Sequence, residues 1–74
     1  MELYKNFNGN SGIVAYEIGN NSIKVRFITG NTYLYTYLSA GQMSIEAMKS
    51  LARSGRGLNS YINTYVRERY AAKL

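Results

Sequence analysis

Residues 22–38 read Ser-Ile-Lys-Val-Arg-Phe-Ile-Thr-Gly-Asn-Thr-Tyr-Leu-Tyr-Thr-Tyr-Leu, and this stretch decides the fold. In Ser22 to Ile28, apolar side chains occupy every second position, and in Thr32 to Leu38 tyrosines do the same. A period of two is the pattern of a half-buried β-strand. Thr29-Gly30-Asn31, between the two segments, is typical of a tight turn. The stretch therefore predicts two antiparallel strands joined by a hairpin turn.

The residues on the N-terminal side of this hairpin add a third strand. Ile13 to Ile18 is rich in strand-forming residues, and Gly19-Asn20-Asn21 after it accepts the positive φ angles of a hairpin turn. Three such strands in succession form an antiparallel meander. Turn-forming residues without a period precede it, so we predict a flexible leader over residues 1–10 and a folded domain over residues 11–74.

After Leu38 the apolar period becomes helical. Ser39 and Gln42 have the spacing of a capping box, which favours a helix that begins there and ends near Gly55. A second helix is predicted toward the C-terminus, with an apolar stripe formed by Leu58, Ile62, Tyr65, Val66 and Tyr70. The predicted fold class is therefore α+β: a three-stranded antiparallel β-meander followed by two α-helices (β-β-β-α-α), with the helices covering one face of the sheet.

Composition excludes most catalytic chemistry and favours a binding protein. The chain of 74 residues has no Cys and no His, and its acidic residues are four glutamates. Thiolate and imidazole catalysis and the usual zinc sites are therefore excluded, and we predict no enzyme activity, no cofactor and no metal. A net charge of +5 favours an anionic partner. No long apolar run or signal peptide is evident, so we predict a cytoplasmic protein without a membrane partner.

The function of the tyrosine strand depends on its register with the preceding strand. A two-residue turn would place Lys24 and Arg26 on the same sheet face as Tyr33, Tyr35 and Tyr37, where rings stack on bases and cations contact phosphates. A three-residue turn that contains Gly30 shifts the register by one. Tyr33 then joins Phe27 in the core, and the tyrosines pack the interior instead.

The break between the helices is a second candidate site. Ser54-Gly55-Arg56-Gly57, with Asn59 after it, brackets an arginine with glycines at the start of a helix. Helix N-termini attract anions, and Arg56 could bind a phosphate through two hydrogen bonds. The same residues are also typical of an ordinary helix-to-helix turn. The second half of the chain is rich in basic residues, which include Lys49, Arg53, Arg67 and Lys73. They form either a solvated face or a surface for phosphates.

Several segments together resemble the KTSC domain, a family named for the C-terminal region of some lysyl-tRNA synthetases. They are Val14-Ala15-Tyr16, Ile23 to Phe27, Gly30 to Tyr35 with its Tyr-x-Tyr, Ser54-Gly55, Leu58-Asn59 and Ile62. The resemblance spans roughly residues 11–70. Leu38-Ser39 stands where the family often has Val-Pro, and Gly57 stands where it often has an aromatic residue. The resemblance implies a β-meander with two helices and a role in RNA binding.

Three functions are compatible with these features. The first is a non-enzymatic module for RNA or single-stranded DNA, which uses aromatic stacking and contacts from Arg and Lys to phosphates. The second is a phage-type or mobile-element-type protein that sequesters a small signalling nucleotide, for instance between the copies of a homo-oligomer. The third is a protein-protein interaction module or inhibitor, because Tyr and Arg are common interface anchors. The predicted site comprises Lys24, Arg26, Tyr33, Tyr35, Tyr37, Arg53, Ser54, Gly55, Arg56, Asn59 and Arg67.

Overall fold

The computed structural model describes residues 1–7 and 12–74. Within these residues, five antiparallel strands form one sheet in chain order. The strands are β1 Glu2–Leu3, β2 Ile13–Ile18, β3 Ser22–Phe27, β4 Thr32–Thr36 and β5 Ala72–Lys73. The helices are α1 Tyr37–Ala40, α2 Gln42–Ser54 and α3 Leu58–Tyr61, and one π-helical turn, Ile62–Val66, follows α3. The α+β class and the central meander are as predicted, whereas the two outer strands and the division of the helices are not.

The turn between β3 and β4 sets the register of the tyrosines. The Phe27 N–H donates to the Asn31 carbonyl at 2.8 Å, which leaves residues 28–30 as a three-residue turn, and Gly30 has a φ of 95°. Val25 consequently pairs with Tyr33, and Ile23 pairs with Tyr35. Val25 and Ile23 are fully buried, so both tyrosines face the core. Of the two registers that the sequence allowed, the structure has the one in which the tyrosines are packing residues.

The first helical region begins earlier than predicted and is interrupted. Thr36, not Ser39, is the N-cap: the Ser39 N–H donates to the Thr36 hydroxyl at 3.1 Å, and the Thr36 N–H donates to the Ser39 hydroxyl at 3.0 Å. Gly41, with a φ of 93°, then separates α1 from α2. Side chains of α2, among them Ile45 and Met48, are fully buried in the core cluster that includes residues of β2, β3 and β4.

The N-terminal segment, predicted as a flexible leader, contacts the rest of the fold within residues 1–7. β1 pairs with β2, placing Glu2 opposite Tyr16. Tyr4 is buried, and its hydroxyl accepts a hydrogen bond from the Leu58 N–H at 3.3 Å. The Phe7 N–H donates to the Gly55 carbonyl at 2.8 Å. These contacts compensate the entropy of ordering the segment. The remainder of the predicted leader, residues 8–10, lies outside the described residues.

The C-terminal segment returns to the sheet instead of continuing a helix to Tyr70. The helical backbone ends at Val66, and Arg67 adopts a φ of 42°. The Ala71 N–H then donates to the Leu34 carbonyl at 2.6 Å, and the Leu74 N–H donates to the Thr32 carbonyl at 2.7 Å. β5 therefore covers the edge of β4 and satisfies carbonyls that the predicted helix would have left open.

A buried lysine, Lys49, connects α2 to the turn between β2 and β3. Lys49 is 5% exposed, and its ammonium group donates to the Asn20 carbonyl at 2.9 Å. The same group lies 2.8 Å from the Glu46 carboxylate, to which the Tyr37 hydroxyl also donates at 2.6 Å. The charge of the lysine is thus compensated where its stem crosses the interior.

Glu46→Gln is expected to make the stability less sensitive to acid. Hydrogen bonds from Lys49 and from Tyr37 hold the pKa of Glu46 below its ordinary value of 4.5. A pKa that folding lowers contributes stability above the unfolded value, and this contribution is lost as the pH falls through the folded pKa. Urea denaturation at a series of pH values should therefore show a steeper loss of stability below pH 4.5 for the wild type than for Glu46→Gln. Glu2→Gln, at an exposed strand position, is the control and should follow the wild type. Parallel curves for Glu46→Gln and the wild type would contradict the assignment.

Candidate functional site

The sheet face that points away from the helices holds cations without the predicted tyrosines. Lys24 pairs with Leu34, and Arg26 pairs with Thr32, so both cations lie opposite to the face of Tyr33. The Lys24 ammonium group is 3.4 Å from the Glu17 carboxylate, and the Arg26 Nε donates to the Thr32 hydroxyl at 3.2 Å. Arg26 remains exposed. The open face that combines rings and cations, as a two-residue turn would have made it, is therefore not formed.

The Tyr37 side chain makes contacts within the fold. It is the first residue of α1, not a member of the third meander strand, and its hydroxyl donates to Glu46. The Lys49 ammonium group lies 5.7 Å from the centre of its ring. This geometry makes Tyr37 part of the connection between α1 and α2.

Tyr33 and Tyr35 instead line a pocket between β4, the π-helical turn and the C-terminal return. The pocket has a volume of about 410 Å³. Its aromatic part consists of Phe27, Tyr33, Tyr35 and Tyr70, and its remaining walls are Ile62, Asn63, Arg67 and Glu68. We call this group the aromatic pocket. It brings together three predicted site residues, Tyr33, Tyr35 and Arg67, and five residues that the sequence did not suggest for a site.

The rings of the aromatic pocket contact one another. The centre of the Tyr33 ring is 4.6 Å from that of Tyr70 and 5.7 Å from that of Phe27, and the Tyr35 ring meets Tyr70 edge-on at 6.2 Å. Such tilted and edge-to-face contacts are favourable between aromatic side chains. The pocket therefore has a continuous aromatic floor. No signal in the sequence indicated Tyr70, because its position depends on the return of the chain after the π-helical turn.

Tyr35 connects the floor of the pocket to Arg67. The Tyr35 side chain is 2% exposed, and its hydroxyl donates to the Arg67 carbonyl at 3.4 Å. Burial raises the pKa of Tyr35 to about 12, and the neighbouring Tyr33 and Tyr70 contribute to the same direction. The raised pKa extends the pH range over which the hydroxyl is protonated and can donate. The Arg67 Nε in turn donates to the Asn63 carbonyl at 3.1 Å, which orients the guanidinium group.

The glycine-bracketed turn is built as a helix ending. Gly55, with a φ of 79°, caps α2, and Gly57, with a φ of 82°, precedes α3. The Ser54 hydroxyl donates to the Leu51 carbonyl at 2.9 Å, so its donor serves the turn itself. Asn59 lies within α3, which is only four residues long. The geometry thus agrees with the ordinary helix-to-helix turn.

The exposed side chain of this turn, Arg56, belongs to a different group. Phe7 is 59% exposed, and its ring lies 5.4 Å from the Arg56 guanidinium carbon and 6.0 Å from the Lys5 ammonium nitrogen. The ring rests on Gly55, where an added Cβ would approach the Lys5 Cβ to 2.8 Å and the Phe7 ring to 3.0 Å. We call these three side chains the Lys5–Phe7–Arg56 cluster. The sequence singled out Arg56 but not Phe7, because the two are brought together only by the docking of the N-terminal segment.

The basic side chains divide into paired and unpaired ones. Within residues 1–7 and 12–74, Lys24 and Lys49 form ion pairs with glutamates. In the part of the chain that the structure describes, no ion pair involves the cations around the glycine-bracketed turn, which are Lys5, Arg53 and Arg56. Arg53 is exposed in the last turn of α2. These three side chains are therefore positive charges without an ion-pair partner among the described residues, although the charge of Arg53 also acts on Glu46.

Comparisons of the chain with protein-family models, with curated proteins and with solved structures found no match. The resemblance to the KTSC domain stays a prediction. In the part of the chain that the structure describes, no three acidic, His or Cys side chains are grouped as metal ligands. None of the helices described has the length and apolar character needed to cross a membrane.

Proposed function

We propose that this protein is a non-enzymatic module that binds single-stranded nucleic acid, with the Lys5–Phe7–Arg56 cluster as its principal contact. The observation that carries the proposal is the exposed Phe7 ring with two cations within 6.0 Å of its centre, neither of which forms an ion pair among the described residues. An exposed aromatic ring can stack on any base, and adjacent cations can contact the phosphates on either side of that base.

The cluster is prepared for this role before a ligand binds. Cation–π contacts at exposed sites are worth about 0.5 to 1 kcal/mol each, so Lys5 and Arg56 favour one orientation of the ring. The main-chain hydrogen bond between Phe7 and Gly55 anchors the same segment. A ring that is already ordered loses less entropy when a base stacks on it.

Charge supports a nucleic acid over a protein as the partner. The chain carries a net charge of +5, and Arg53 adds a further cation beside the turn on which the cluster rests. Arg26 on the outer sheet face is an additional candidate for a phosphate contact. An anionic strand can follow a surface of this kind without a complementary shape, whereas a protein partner would need one.

Phe7→Ala is expected to weaken binding of a fluorescent single-stranded oligonucleotide, because one stacked base contributes about 1 to 3 kcal/mol. Arg56→Gln should weaken binding and lower the slope of log affinity against log salt by about one, the effect of one lost phosphate contact. Fluorescence anisotropy at several salt concentrations, with oligonucleotides of increasing length, measures both quantities.

Matched controls are available in the same chain. Tyr65→Ala removes an aromatic ring that is 63% exposed and lies outside the cluster, and Arg69→Gln removes an exposed cation near the C-terminus. Both should bind like the wild type. Equal affinities for Phe7→Ala and Tyr65→Ala, or binding that does not depend on salt, would refute the proposal and leave a protein partner as the better hypothesis.

A further inference from the structure

The aromatic pocket suggests a second binding activity that does not depend on the Lys5–Phe7–Arg56 cluster. It is built from the end of β3, β4, the π-helical turn and the C-terminal return, none of which contributes to that cluster. Its volume of about 410 Å³ lies in the range of pockets for small ligands. We infer that the aromatic pocket binds a nucleoside monophosphate, either free or at the end of a nucleic-acid strand.

The floor of the pocket is suited to a flat ring. Phe27, Tyr33 and Tyr70 are all partly exposed, and their rings are in mutual contact. Packing among protein side chains therefore leaves some of this aromatic surface open at the pocket. A nucleobase that covers it would bury apolar area and add stacking contacts.

The rim of the pocket supplies one cation, one anion and one amide. The Arg67 Nε donates a hydrogen bond to the Asn63 carbonyl. The two terminal nitrogens of the guanidinium group make no ion pair within the described residues. Such a group can bind a phosphate through two parallel hydrogen bonds. Glu68 follows directly in the chain and repels a phosphate, so we assign its carboxylate to donors on the ribose or the base.

The backbone at Arg67 provides an independent indication. Arg67 is one of two non-glycine residues with a positive φ in the described part of the chain, and its φ of 42° with ψ of −111° is a conformation that favours glycine. It directly follows a π-helical turn, and such turns are frequent at functional sites. Strained residues of this kind often belong to binding sites, where the side chain has a role that glycine cannot fill.

Isothermal titration calorimetry with AMP, GMP, CMP and UMP tests the inference, with adenosine and inorganic phosphate as partial ligands. At least one monophosphate should bind with one site per chain, more tightly than either partial ligand, because base and phosphate contacts add. Arg67→Gln should weaken that binding by about tenfold or more, the usual effect of losing a charge-assisted hydrogen bond. Arg69→Gln is the matched control and should leave the affinity unchanged.

Competition with short strands distinguishes free nucleotides from the phosphorylated ends of strands as the ligand. A strand that ends in a 5′-phosphate and displaces the free nucleotide, while the same strand with a 5′-hydroxyl does not, would assign the pocket to strand ends. Failure of both strands to compete would assign it to free nucleotides, and either result supports the inference. No binding of any monophosphate, binding of inorganic phosphate as tight as that of the best nucleotide, or wild-type affinity in Arg67→Gln would overturn it.

This inference can fail separately from the proposed function. Phe7→Ala should retain the affinity for the monophosphate, since Phe7 is not part of the pocket. Tyr70→Leu provides a second test of the floor, because leucine keeps apolar packing but cannot stack, and it should weaken the binding of the nucleotide more than that of inorganic phosphate. Equal losses for both ligands would contradict the assignment of the base to the aromatic floor.

Discussion

Tyr35→Ala is expected to lower the free energy of unfolding by about 3 to 5 kcal/mol, the usual cost of removing an aromatic side chain from a core. The side chain is 2% exposed and pairs across the sheet with Ile23, so its removal leaves a cavity between the sheet and the π-helical turn. A domain of this size is stabilised by only about 0.05 to 0.15 kcal/mol per residue, so this variant should lie close to the limit of folding. Urea denaturation followed by circular dichroism measures the change.

Two further substitutions serve as controls for the stability of Tyr35→Ala. Tyr65→Ala removes the same type of side chain from a position that is 63% exposed, where the ring contacts only Tyr61 among the described rings, at 4.7 Å. Its effect should therefore stay below about 1.5 kcal/mol. Tyr35→Phe removes only the hydrogen bond to the Arg67 carbonyl and should cost about 0.5 to 1.5 kcal/mol. If Tyr35→Ala were as mild as Tyr65→Ala, the tyrosine would be on an open face and the register described above would be wrong.

Gly55→Ala is expected to destabilise the protein by about 2 to 4 kcal/mol and to weaken oligonucleotide binding at the same time. A side chain at a φ of 79° costs about 1 to 2 kcal/mol in the backbone alone. The added Cβ would also lie 2.8 Å from the Lys5 Cβ, which is too short a contact, so the N-terminal segment must move. Movement of this segment breaks the Phe7 to Gly55 hydrogen bond, worth about 0.5 to 1.5 kcal/mol, and displaces the Phe7 ring.

Gly30→Ala is the matched control for this prediction. Gly30 has a φ of 95°, and an added Cβ there would meet no atom within 4 Å. This variant therefore carries the backbone cost without the contact, and it should be less destabilised and should bind oligonucleotides like the wild type. Identical stability and identical binding for the two variants would show that the N-terminal segment is not docked on Gly55.

The docked N-terminal segment shows why part of the candidate site could not be predicted from the sequence. Phe7 lies in a stretch of turn-forming residues, which by composition indicates a flexible leader. Its contact with Arg56 depends on β1 pairing with β2 and on the turn after α2 reaching the same end of the molecule. A contact between residues so far apart in the chain leaves no local pattern. Arg56 alone was recognisable, because glycines bracket it.

The aromatic pocket illustrates the same limit from the other end of the chain. The apolar spacing of Ile62, Val66 and Tyr70 predicts a continuous helix, and the structure follows this pattern up to Val66. Beyond that residue, the open edge of β4 competes with the helix for the backbone hydrogen bonds of the C-terminal segment. The C-terminal segment pairs with the sheet edge, so Tyr70 lies beside Tyr33 in the floor of the aromatic pocket and not on a helical stripe.

The sequence by itself determined the α+β class, the three strands of the meander and the long helix α2, because the hydrophobic period of each segment is a local property that packing preserves. It also determined the positive charge and the lack of imidazole and thiol groups. Only the tertiary structure decided which face the tyrosines occupy, since a one-residue difference in the Gly30 turn reverses every side chain of β4. Both candidate sites likewise depend on chain ends that dock on distant strands and turns, where the free energy comes from long-range contacts that no local pattern records.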